Sequence, residues 1–155
     1  TAQAHIDADG DPEPFGPVVR ERVADHRAVA ARLAPKLRAI ASRDQRMVGS
    51  FTDAEVVLDF LAREKLAALA DLGTSCPDHF LRTKVKPLIV PADATDEQLA
   101  ELHGRYRADY AAYYERHATP ESPAMRGADP LIVLVPDPSE QSGAPSDRLK
   151  HIPYL

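Results

Sequence analysis

From Val19 to Ile40 the apolar residues Val19, Val23, Ala30, Leu33, Leu37 and Ile40, with His26 in the gap, recur at helical spacing. Pro35 falls inside that run. Its missing N–H and its ring cost about 3 kcal/mol in a helix interior, so the pattern predicts two helices or a kink over 18–40. Arg46–Phe51 reads as a short strand. Thr52 or Asp53 then caps a helix whose buried stripe is Val56, Val57, Phe60 and Leu61. A further helical stretch, Leu66–Leu72, ends at Gly73 as its C′ residue. Lys86–Val90 and Leu131–Val135 lack polar alternation, as strands covered on both faces do. Between them Thr95 and Gln98 spell a capping box that opens a helix to about His117. Its stripe is Leu99, Leu102, Tyr106 and Tyr110, with Tyr113 and Tyr114 adjacent, and residues 119–129 form a loop.

Strands separated by helices predict right-handed crossovers. The expected fold class is therefore α/β: a small parallel or mostly parallel sheet with flanking helices, in two or three layers. Its strands are expected near 46–50, 86–90 and 131–135, with the 95–117 helix packed on one face. Proline clusters in 11–17 and 136–145. Residues 1–19 accordingly read as a short helical remnant and Pro-rich linker, 20–136 as the α/β domain, and 137–155 as an irregular tail. The chain opens without Met, and both ends read as cut from a larger protein.

Composition narrows the function classes. At 155 residues the chain suits one domain. It is 44% hydrophobic but only 6% aromatic and has no Trp, so the core rests on Ala, Leu and Val, and each buried Ala removes little apolar area from water. A net charge of −5 argues against a nucleic-acid face, which needs clustered cations. One Cys excludes an intramolecular disulfide and a Cys-rich zinc module, and suits a reducing cytosol. The longest apolar run, Leu131–Val135, is far below the roughly 20 residues a bilayer span requires. No signal peptide is visible at the N-terminus. The expectation is a cytoplasmic protein with neither membrane nor nucleic acid as partner.

The densest chemistry lies in Gly73-Thr-Ser-Cys-Pro-Asp-His-Phe-Leu-Arg-Thr-Lys84. Thr74 or Ser75 can cap a helix with Pro77 in its first turn. The N–H groups there, with His79, Arg82 and Lys84, would form an anion site. The plain alternative is an ordinary capped helix with solvated cations. Cys76 and His79 have zinc-ligand spacing, but no second Cys exists and the other His residues are scattered, so no metal ligands are assigned. Cys76 as a nucleophile would need an acidified thiol and a base. Tyr110 is followed four residues later by Tyr114, which breaks a dehydrogenase Tyr-x-x-x-Lys signature. Arg105, Arg107 and Arg116 read as a solvated face or as carboxylate pairs. Neither GxGxxG nor a P-loop is present. No catalytic residue is assigned.

Three stretches, GTSCPDHFLRTKVKPLIV (73–90), YRADYAAYYERH (106–117) and PAMRGADPLIVLVP (123–136), together resemble a family. It is the bifunctional rhamnulose-1-phosphate aldolase/short-chain alcohol dehydrogenase family, and the likeness covers most of residues 1–136. The resemblance implies an aldolase part related to class II aldolases and adducin, with zinc held upstream, and a Rossmann dehydrogenase with NAD held downstream. No residue here matches the motifs of either centre. The chain then corresponds to the end of the aldolase-like region and the connecting α/β segment. After Pro136 the sequence departs from the family's usual glycine-rich continuation. The implied function is a non-catalytic segment of a sugar-phosphate aldolase/dehydrogenase, structural or phosphate-binding. It carries no cofactor of its own, and its partners are the flanking catalytic parts or another copy of itself. Two other readings stand beside it: a free-standing binding protein for an anionic metabolite, or an enzyme built on Cys76 and His79.

Overall fold

The two apolar runs meet edge to edge. In a computed structural model, which describes residues 10, 13–23, 25–43, 45–74 and 76–138, Leu88–Ile89 (β1) and Val133–Leu134 (β2) pair in parallel. The register sets Leu88 opposite Val133 and Ile89 opposite Leu134. Bonds continue along it from Leu88 N to Ile132 O and from Val90 N to Leu134 O, both 2.9 Å, and from Ala92 N to Pro136 O, 3.3 Å. The helices are His26–Ala41 (α1), Glu55–Ala62 (α2), Leu66–Asp71 (α3), Pro77–Thr83 (α4) and Asp96–His117 (α5). This is the expected α/β class with a small parallel sheet. The helical remnant expected at the N-terminus falls largely outside the described residues, as does most of the tail after 137.

Register sorts the side chains into two faces. Leu88 and Val90 form a buried cluster with Ala94 and Leu99, against which Leu37 and Ile40 of α1, Leu102 and Tyr106 of α5, and Val133 pack. On the opposite face, Ile132 and Leu134 look across a cleft at Phe60, Leu69 and Ala70 of α2 and α3. The sheet is thus a middle layer, filled on the α1/α5 side. Lys36 pairs with Asp96 and ties α1 to the first turn of α5. The Thr95 capping box is complete: Gln98 N donates to Thr95 Oγ1 at 3.2 Å, and Thr95 N to Gln98 Oε1 at 2.9 Å.

Four expectations need correction. The first helix begins at His26 rather than Val18, because the Asp25 carboxylate caps it by accepting from Ala28 N at 2.9 Å. Val18 and Val19 instead join the turn after α2: Val18 bridges Arg63 antiparallel, and Val19 N bonds Ala62 O at 2.9 Å. Pro35 does not divide α1, which runs through it as one element. The lost backbone bond is offset by burial of Leu33, Leu37 and Ile40 on that helix. Residues 46–50 form no strand: Val48 is 92% exposed, and Gly49 and Ser50 offer no apolar face to bury. Neither Thr52 nor Asp53 caps α2. Its N-cap is Ala54, while Thr52 Oγ1 accepts from Ala54 N one step earlier, and Val56 is 76% exposed. No helix among the described residues is long and apolar enough to cross a membrane.

Gly73 closes α3 as the sequence indicates, at φ +81°. A Cβ there would lie 2.6 Å from Val85 O, and Val85 O also accepts from Thr74 N at 3.2 Å. Only glycine allows this chain reversal to sit against the entry to β1. Gly73→Ala is therefore expected to cost about 1–3 kcal/mol. Urea unfolding checks it, and an unchanged midpoint would contradict the close approach.

Candidate functional site

Helix α5 spends its polar side chains on the loop that leads into β2. His103 and Arg107 lie four residues apart and so project from one face. Both reach the same carboxylate oxygen: His103 Nε2 is 2.8 Å and Arg107 Nη1 2.5 Å from Asp129 Oδ1. His103 is only 3% exposed. A carboxylate this enclosed is held by charge-assisted bonds, and removing a partner would strand a buried charge. Two residues earlier, the Lys84 ammonium donates to Gly127 O at 2.6 Å and lies 4.1 Å above the Tyr110 ring. Tyr114 OH donates to Pro123 O at 2.6 Å.

The same helix also holds the entry to β1. Tyr106 OH donates to Lys86 O at 2.8 Å, and burial, reinforced by Tyr110 and Asp129, pushes its pKa up to about 12. Tyr113 meets Phe80 of α4 edge-on, ring centres 6.2 Å apart, and packs against His117 at 4.7 Å. Chemically the arrangement is a clamp. Arg107 is paired with the Asp129 carboxylate, and the Lys84 ammonium is held by a carbonyl and an aromatic ring.

The anticipated anion residues are dispersed. Ser75 lies outside the described residues. Thr74 Oγ1 is buried and has no hydrogen-bond partner, beside the cleft. Lys84, at φ +70°, turns to Gly127 and Tyr110. His79 and Arg82 are exposed on α4. Thr74 does not cap that helix: its N-cap is Cys76, without a side-chain bond, although Pro77 occupies the first turn as expected. Cys76 is half-buried, and no three His, Cys, Asp or Glu side chains gather as a metal ligand set among the described residues.

Asp129 is the residue that sequence reasoning missed. One signal could have found it: His103 shares a helical face with Leu99, Leu102 and Tyr106, so it must be buried and must have a partner. The carboxylate-pair alternative for Arg107 is the one the fold uses. A second pair, His26 Nε2 and Asp137 Oδ2 at 3.1 Å, fastens the chain beyond β2 to α1.

Tyr106 yields a pH test. Its folded pKa of about 12 exceeds the ordinary 10.0, so the unfolded chain ionises first and stability falls as pH climbs between those values. Below that interval Tyr106→Phe should cost roughly 1–2 kcal/mol, because Lys86 O loses its donor. Across the interval the variant should lose less stability than the wild type. Parallel alkaline losses in both proteins, read from unfolding midpoints, would contradict the assignment.

Comparison with known proteins supports a link to class II aldolases and to a protein named as an oxidoreductase. Similarity reaches a Bacillus subtilis (strain 168) protein named "Uncharacterized oxidoreductase YuxG", 29% identical over 115 residues. That match covers 70% of this chain but 16% of the relative, so the chain spans a small part of that protein's length. No solved structure matches. Residues 28–144, which include the sheet, the clamp and α4, match the family described as the second domain of class II aldolases, and the chain belongs to that family.

Proposed function

We propose that the chain is a non-catalytic segment of a longer cytoplasmic protein, a sugar-phosphate aldolase joined to a short-chain dehydrogenase, of the rhamnulose-1-phosphate type. One observation carries this reading: Asp129, Arg107 and Lys84, polar groups of the recognisable motifs, are committed to internal partners. Asp129 takes both His103 and Arg107, and Lys84 takes Gly127 and Tyr110. Residues so engaged set the position of β2 against β1 and leave the reacting groups to other parts of the polypeptide. Membership of a class II aldolase second-domain family and likeness to a protein named as an oxidoreductase support both halves of the proposal. Zinc upstream and a nicotinamide downstream remain what the resemblance implies. A phosphate contact from this segment would fall to His79 and Arg82, the anticipated cations left exposed on α4.

Cleaving a ketose 1-phosphate in this class needs a Lewis-acid metal to stabilise the enediolate, and dehydrogenation needs a held nicotinamide. The chain has neither set of motifs, so purified alone it is expected to show neither activity. The uninterrupted product of its gene is expected to show both. Zinc-dependent ketose-phosphate cleavage by the chain alone would overturn the proposal.

A further inference from the structure

We propose that the outer edge of β2 receives an extended apolar segment from the rest of the longer polypeptide, as a third parallel strand. Its side chains would enter the cleft beside Ile132 and Leu134. This rests on the segment reading above and names the surface through which the segment is joined.

The sheet is unfinished. Among the described residues it has two strands, and parallel pairs are weak unless they belong to a larger sheet buried on both faces. The α1/α5 face is filled, whereas the other holds a cleft of about 260 Å³ lined mainly by apolar side chains. Leu131 and Ile132, leading into β2, are 46% and 39% exposed.

The two edges are not equivalent. Beside β1, Thr74 N bonds Val85 O and Tyr106 OH bonds Lys86 O, so the strand's entry is already occupied. On β2, Ile132 and Leu134 turn their carbonyls to β1. Alternation then directs the N–H and C=O groups of Val133 and Val135 outward, in strand-pairing geometry. Proteins guard a bare edge with charges, a bulge or an interior proline. Leu131-Ile-Val-Leu-Val135 has no charge and no proline. That composition suits an edge kept covered.

The occupant follows from topology and length. A second copy meeting this edge about a two-fold axis would pair β2 with itself antiparallel. A parallel third strand needs a crossover, which a longer chain provides. The curated relative has most of its length outside the matched region.

Amide-resolved hydrogen exchange on the full-length gene product tests this. Val133 and Val135 are expected to exchange at least about 100-fold more slowly than exposed Val48 and Gly49, since a paired edge opens only with its sheet. Equally fast exchange at all four would overturn the proposal. Ile132→Asp should speed exchange at Val133 and Val135 while Leu88 and Val90 stay slow. If that variant unfolds, Leu131→Asp serves in its place, and protection that survives a folded variant overturns the proposal. Protection that weakens on dilution, as a dimer dissociates, also overturns it, by assigning the edge to a second copy. Intact mass separates the two claims. A gene product no longer than this chain refutes the segment reading itself, whereas a longer product with fast edge exchange refutes only the docking.

Discussion

Placement of β2 depends on one carboxylate. Asp129 stands four residues before Val133, at the end of a loop with no regular structure from 118 to 132. Such a loop has many conformations, and each residue fixed costs about 1–2 kcal/mol of backbone entropy. Two strands of two residues each cannot supply that alone. The His103 and Arg107 bonds to Asp129, with Lys84 on Gly127 two residues away, fix the loop on α5 so that β2 reaches β1 in register. The capping box and the apolar stripe of α5 then fix the clamp on the core.

Much of this was legible in the residues. Thr95 and Gln98, Gly73, and the two apolar runs indicated the long helix, the chain reversal and the parallel pair, because each is decided by local chemistry. The strand expected at 46–50 was not decided locally. Arg46-Met-Val-Gly-Ser has the composition of a strand but no neighbour to pair with, and tertiary context left Val48 in solvent. Pro35 shows the converse, in that packing of α1 outweighed a local penalty. The clamp was half legible. A His on an apolar helical face requires a partner, but nothing in sequence spacing shows that the partner stands 26 residues later.

The cations near Gly73 show how concentration in sequence differs from convergence in space. Helix α4 is seven residues long, and His79 and Arg82, three residues apart, lie on its exposed side. Lys84 at positive φ swings back to the loop before β2, whereas His79 and Arg82 stay on the surface. The motif that makes the family recognisable therefore contributes to joining α4, α5 and β2. Motif residues that act as joints, and a sheet of two strands among the described residues, are what the proposed connecting role requires.

The central claim is that this buried pairing organises the segment, and a double-mutant cycle measures it directly. His103→Phe, Asp129→Asn and the double variant would be compared by chemical unfolding of the chain. A coupling of about 1–3 kcal/mol between the two positions is expected for a buried hydrogen bond to a carboxylate. Additive losses, with no coupling beyond error, would contradict the account.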